Sequence, residues 1–290
     1  MGAATACPAP YGGRMRRVLT FASVAGVVLT LSACAVGPAP ATSVPPRETP
    51  PAGAAVDYQL GGAYQPADTV GIVVRDRMSA PADGTYSICY VNAFQTQPGE
   101  RDAWPAEALL ARGGAPVIDP AWPDEVILDT STADSRALIA DTVSRWIRGC
   151  AASGFRAVEF DNLDTFTRTD GALTFDDNAR LARALTDIAH ASGLAAGQKN
   201  AAEFASALRD AAGFDFAVAE ECAAFGECDA YTRAYGEHVI DIEYTDRLPR
   251  GFAEMCADAG TPASTVLRDR ALSTPDDPDY AFATCAAPRA

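Results

Sequence analysis

The 290-residue chain predicts an α/β fold, a variant (β/α)8 TIM barrel, carried as a single domain on residues 56–290. Three observations lead there. Short apolar, β-branched runs alternate with helically spaced segments through the body, the order that builds a parallel sheet. The body is close to the roughly 250 residues typical of one such barrel. The residues that close the strand candidates are mostly ionisable, as they are where a barrel keeps its site.

The strand candidates are Tyr58–Leu60, Val70–Val74, Tyr86–Val91, Ala157–Phe160, Leu194–Gly197, Phe214–Val218, Val239–Ile242 and Thr265–Leu267. Segment Ser135–Ala152 sets Leu138, Ile139, Val143, Trp146 and Ile147 at helical spacing, and Phe175–Ala191 sets Leu181, Leu185 and Ile188 on one face. Gly154 and Gly193 follow these helices where C-terminal glycines belong. Shorter helices are expected at Ala201–Ala211, Asp229–Tyr235 and Arg250–Ala259. Glu125–Asp129 also reads as a strand and is placed in a long excursion between the third and fourth barrel strands. An open doubly wound sheet is the competing fold. No GxGxxG follows the first strand to give it a nucleotide site, and no cofactor is expected.

The leader reads as an address. Arg14, Arg16 and Arg17 precede an apolar run, Val18–Leu31, too short to span a bilayer comfortably. It ends in Leu31-Ser32-Ala33-Cys34, which resembles a bacterial lipobox, with residues 1–33 as signal peptide and Cys34 as the acylated N-terminus. Residues 34–55, rich in Pro, Ala, Thr and Ser, read as a disordered tether. The expectation is an exported, extracytoplasmic lipoprotein that touches the cell membrane only through acylated Cys34.

Loss of the signal removes three arginines and no acids, leaving 20 basic against 38 acidic residues and a formal charge of −18. Such a surface excludes nucleic acid as a partner and suits a cationic ligand. Six cysteines lie in the body, an even number in an exported chain, which points to disulfides. Cys222 with Cys228 and Cys256 with Cys285 are suggested by position, although six cysteines allow fifteen connectivities. No metal is expected: there is no CxxC, and His190 and His238 are isolated. A monomer is expected.

The strand-end positions are Arg75, Asn92, Asp161, Lys199, Glu220 and Glu243, with Arg268 as a further candidate. In Glu159-Phe160-Asp161-Asn162-Leu163-Asp164, alternation sends Glu159 and Asp161 to one face, with Asp161 at the rim. Lys199, followed by Asn200, is the only lysine in the chain against 22 arginines, which suggests that a compact ammonium is needed there. Glu220 follows the sixth strand, and Glu243 with Tyr244 follows the seventh. Neighbouring buried carboxylates push their pKa values apart and so furnish one acid and one base or nucleophile, as glycoside hydrolysis requires. Phe94, Trp104 and Tyr244 are aromatic candidates for stacking on sugars, or for the core. No GxSxG accompanies either histidine, which argues against a Ser-His-Asp hydrolase, and the Asp/His ligands of a metal-dependent deacetylase are missing.

Four motifs in order, Val158–Asp164, Gly197–Asn200, Phe216–Cys222 with Glu227-Cys228-Asp229, and Ile242–Thr245, resemble those of glycoside hydrolase family 114. The resemblance runs from Tyr58 to Arg247. It implies a variant TIM barrel, an endo-α-1,4-polygalactosaminidase-like activity, and Asp161 and Glu220 as the catalytic pair. By analogy with retaining barrels, Asp161 would be the nucleophile and Glu220 the acid/base. Glu159, Asn162, Asp164, Lys199, Asn200, Glu243, Tyr244, Asn92 and Arg75 are then candidate substrate-binding residues. Ala219 and Glu221 depart from the family pattern, which has Asn and Gln there, and the Tyr90–Thr96 stretch carries fewer tryptophans than usual. The expected partner is a cationic amino-sugar polysaccharide. The alternatives are a non-catalytic glycan-binding barrel on the cell surface and a glycosidase for another α-linked sugar.

Overall fold

A computed structural model describes residues 47–285. The signal segment, Cys34 and the tether up to residue 46 lie outside the described residues. The strands are β1 (Ala55–Tyr58), β2 (Val70–Asp76), β3 (Tyr86–Asn92), the short β4 (Ala111–Arg112) and β5 (Ala115–Pro116), β6 (Ala157–Asp161), β7 (Ala195–Lys199), β8 (Phe216–Glu220), β9 (Val239–Tyr244), β10 (Ser264–Arg268) and β11 (Phe282–Thr284). Eight of them, β1, β2, β3 and β6 to β10, run parallel in chain order, and β11 adds antiparallel to β10. Seven of them overlap their sequence candidates well, whereas β1 lies earlier than its candidate Tyr58–Leu60 and shares only Tyr58 with it; the sheet curls into a nearly closed barrel.

Closure falls between β10 and β1, which have no backbone ladder between them. Arg268, fully buried at the end of β10, spans that seam. Its guanidinium donates to Tyr58 O on β1, to Asp57 Oδ1 at 3.3 Å, to Ser273 O at 2.7 Å and to Ala281 O at 3.0 Å. Arg268 therefore stitches the barrel and does not face substrate.

The helices are α1 (Ala133–Ser153), α2 (Phe175–Ala191), α3 (Ala205–Ala212), the one-turn α4 (Cys222–Phe225), α5 (Cys228–Tyr235) and α6 (Phe252–Cys256). Thr132 caps α1 by accepting from Ser135 N, and α2 opens with a Thr174–Asp177 capping box. Gly154 ends α1 at φ 99°, a left-handed cap that glycine adopts without a Cβ clash. No helix follows β1 or β2. The strand–helix alternation read from the sequence thus fails for the first two units, where loops carry the chain across.

Strand alternation sorts the side chains into two layers. Val56, Tyr58, Ile72, Val74, Ile88, Phe216, Val218, Ile240, Ile242 and Val266 fill the barrel, and Val91, Val158, Phe160 and Ala217 pack outward against the helices. Gly197 must be glycine, because a Cβ there would meet the Phe216 ring at 2.5 Å inside the barrel. Among the described residues three disulfides form: Cys222–Cys228, Cys256–Cys285 and Cys89–Cys150, the last tying β3 to α1.

Two loop regions differ from, or refine, expectation. Residues 47–54, read as the end of the tether, lie against the barrel: Glu48 pairs with Arg156 and accepts from Tyr86 through its carbonyl, and Pro50 O is met by His238. Glu125–Asp129 does belong to the excursion between β3 and β6. There it makes isolated bridges, Gln95 with Ile127, Leu109 with Leu128 and Ile118 with Val126, instead of a barrel strand. Among the described residues no helix is long and apolar enough to cross a membrane.

Candidate active site

The C-terminal ends of the strands surround a cavity of about 320 Å³ lined by Tyr58, Tyr90, Trp122, Glu125, Asp161, Asn162, Lys199, Asn200, Glu220, Glu221, Tyr244 and Arg270, among others. Period-two alternation places Tyr58, Asp161, Lys199, Glu220 and Tyr244 at the inward position nearest the rim. Immediately beyond three of these strands the backbone turns through the left-handed region, at Asn162 (φ 65°), Asn200 (φ 51°) and Glu221 (φ 60°). Asparagine tolerates that conformation better than most residues; Glu221 carries strain of the kind that gathers at functional sites.

Lys199 is the hub. Its side chain is 3% exposed, and its ammonium lies 3.0 Å from Glu220 Oε2 and 3.6 Å from Asp161 Oδ2. Tyr90 donates to Asp161 Oδ2 at 2.8 Å, and Asn162 N donates to Asp161 Oδ1 at 2.8 Å. Glu220 receives the Tyr244 hydroxyl and, at 2.9 Å, the Asn200 amide, whose own oxygen accepts from Glu220 N at 2.9 Å. Burial alone would raise the Glu220 carboxyl. The Lys199 ammonium, with the Tyr244 and Asn200 donors, outweighs it and brings the pKa down to about 2. Burial disfavours the charged Lys199 as well, but Asp161, Glu220 and Glu159 around it hold its pKa well above the ordinary value.

Glu159 lies one inward position below Asp161 and is fully buried. Tyr58 donates to its Oε1 at 2.6 Å, and Oε2 has no hydrogen-bond partner among the described residues. Burial pushes its pKa up to about 8, against the opposing pull of Lys199 and the Tyr58 hydrogen bond. Glu159 therefore sits under the site, in the floor beneath Lys199, and does not line the cavity.

Other sequence candidates are also displaced from the cavity. Asn92 stands behind Asn162, accepting its amide at 3.0 Å and donating to Glu125 Oε2 at 3.0 Å. Asp164 pairs with Arg168 at 2.7 Å. Arg75 is on the outward face of β2 and donates to Gln59 Oε1, Ala80 O and Tyr64 O, holding a loop. Glu243 shares parity with Asp241, not Tyr244, and points out of the barrel, where Oε1 accepts from Ala223 N at 2.9 Å and Ala224 N at 3.1 Å. Arg75 and Glu243 both have outward parity in their strands; in β9 the inward neighbour Tyr244, also a sequence candidate, is the residue that lines the cavity, and no residue of β2 does. Phe94 and Trp104 are core residues.

Several cavity residues were not singled out from the sequence. Tyr58 and Tyr90 have the inward parity that an alternation count gives, whereas Trp122, Glu125 and Arg270 come from loops whose placement no local pattern encodes. Arg270 pairs with Glu221 at 2.9 and 3.1 Å and stacks 4.0 Å over the Tyr244 ring, so the extra carboxylate at 221 is ion-paired at the rim by a guanidinium it shares with Asp246.

The sequence matches the glycoside-hydrolase family GH114 profile over residues 37–289. The chain belongs to glycoside-hydrolase family GH114. Among solved structures this GH114 barrel is similar to Ega3 of Aspergillus fumigatus in complex with galactosamine, at 22% identity and a TM-score of 0.65, covering 82% of this chain and 98% of that one. It is also similar to the glycoside hydrolase domain of PelA from Pseudomonas aeruginosa, at 17% identity and a TM-score of 0.52, covering 79% and 98% of the two chains. At these identities the likeness is one of fold. None of the curated proteins matches the GH114 chain.

Proposed function

We propose that this GH114 protein is an endo-acting, retaining hydrolase of α-1,4-linked, galactosamine-containing polysaccharide, with Asp161 and Glu220 as its two carboxylates. The supporting observation is Lys199, held between them. Its two contacts of 3.6 and 3.0 Å bound the separation of the facing oxygens. That upper bound only reaches the bottom of the ~6.5–9.5 Å range that inversion needs, so the pair fits the close spacing of retention. The acidic body suits a polymer of protonated amino sugars. Its disulfides and leader fit an exported protein, anchored through Cys34.

In this reading Asp161, oriented by Tyr90 and by Asn162 N, attacks the anomeric carbon, and the Glu220 carboxyl protonates the leaving oxygen. Glu220 is an anion in the free site. A sugar ring that excludes water and separates it from Lys199 raises its pKa toward the range a general acid needs. The low resting pKa of Glu220 favours a second reading, with Glu220 as nucleophile and Asp161 as acid/base. Trapping the glycosyl-enzyme with a fluorinated substrate and mapping the labelled peptide separates the two. The activity itself is tested by reducing-end release from deacetylated polygalactosamine by the full chain. Asp161→Asn and Glu220→Gln should each lose at least ~10³-fold in kcat while melting as the wild type does. Saturable binding without release by the wild type would instead indicate a glycan-binding barrel, and cleavage of a different α-linked polymer would reassign the substrate.

A further inference from the structure

Four carboxylates line the cavity, and three are matched with cations. Asp161 and Glu220 share Lys199, and Glu221 is paired with Arg270. Glu125 has no ion-pair partner among the described residues. It is 9% exposed; Oε2 accepts the Asn92 amide at 3.0 Å, and no group among the described residues hydrogen-bonds Oε1. The residue is largely buried but lines the cavity, so Oε1 is the oxygen left for a ligand to meet.

Glu125 sits at the base of a tight turn closed by Asp119 N donating to Glu125 O at 3.0 Å. Trp122 N donates to Asp119 O, and Glu125 N donates to Trp122 O, which fixes Trp122 at the tip. The turn is anchored from below. Asp119, almost fully buried, receives Gln95 Nε2 at 2.6 Å and Arg168 Nε at 2.5 Å. Trp122 is 60% exposed and borders the same cavity. A rigid turn that offers an exposed indole beside an unpaired carboxylate combines the two things an amino sugar presents, an apolar ring face and a cation.

We propose that this turn is a sugar-binding subsite in which Glu125 Oε1 takes the ammonium of a 2-amino sugar while the Trp122 indole stacks on its ring. Glu125 then selects the free amine over the N-acetylated sugar, because an acetamide brings no charge to a carboxylate left unpaired. The inference rests on the amino-sugar reading of the substrate, and equilibrium binding tests it apart from catalysis.

Calorimetry of α-1,4-linked galactosamine oligomers, deacetylated and N-acetylated, on the full-chain wild type, Glu125→Gln, Glu125→Asp and Trp122→Ala is the experiment. Glu125→Gln keeps an acceptor for Asn92. It should weaken the deacetylated oligomer by ~10- to 100-fold and leave the acetylated one unchanged. Glu125→Asp, which restores the charge, should recover part of the preference, and Trp122→Ala should weaken both oligomers alike. An unchanged ratio between the two oligomers in Glu125→Gln, with the protein folded, would overturn the proposal, as would failure of the wild type to bind either. Binding that follows the expected pattern without cleavage would support the subsite and reject the hydrolase reading alone.

Discussion

At the scale of single residues, the site is organised around one buried ammonium. Lysine suits that position because its charge is compact and its stem flexible, so one head group reaches both carboxylates; a planar guanidinium would impose a fork. Replacing Lys199 by Met removes the largest influence that opposes burial at Glu220. With the cation gone, the carboxylate loses its stabilisation while its desolvation persists, so its pKa must rise from about 2. Carboxyl-carbon NMR titration of Lys199→Met should show Glu220 titrating at higher pH than in the wild type, and kcat should fall by ~10²-fold or more. A Glu220 titration that stays put would mean that Tyr244 and Asn200 alone hold the carboxylate. Asp161, Lys199 and Glu220 were legible in the sequence because each closes a short apolar run. Glu243 was misplaced for a local reason, since its strand continues to Tyr244 and the side chain one residue earlier turns outward.

At the scale of elements, the excursion between β3 and β6 and the turn after β8 shape the site, and covalent ties hold both ends of this machinery. Cys89–Cys150 joins a barrel strand to the helix that follows the excursion, across a sequence separation of 61. Cys222–Cys228 closes a separation of only 6 around the turn that Glu243 caps. Chain entropy assigns roughly 4 kcal/mol to the longer tie and roughly 2 kcal/mol to the shorter. The paired Cys89→Ala, Cys150→Ala variant should therefore lose more stability in urea than the paired Cys222→Ala, Cys228→Ala variant. The second should show the larger change in KM, because its turn carries Glu221 at the cavity rim. The helices themselves were readable. α2 spans the range its periodicity gives, and α1 extends its candidate only by end residues, because both bury a continuous apolar stripe and carry strong caps.

For the whole molecule, the weak point of the barrel is the seam between β10 and β1, where a side chain does what a ladder does elsewhere. Arg268 is fully buried with its charge set against Asp57. Removing one partner of a buried pair strands the other. Arg268→Met should cost ~3–5 kcal/mol of unfolding free energy, with part returned when Asp57→Asn is added. A urea midpoint unchanged in Arg268→Met would show that β11 and the packing around it close the barrel unaided.

The sequence by itself determined the parallel order of eight strands, the two long helices, the family and the central trio of Asp161, Lys199 and Glu220. These follow from local periodicity and from residues that end strands, information carried within a few positions of one another. The tertiary structure alone decided which loops reach the cavity. Trp122, Glu125 and Arg270 are distant in sequence from the trio and are brought to it by the excursion and by the return of the chain after β10. It also decided which acids are paired, since charge matching across a cavity depends on how strands and loops converge in space, and spacing along the chain does not record that.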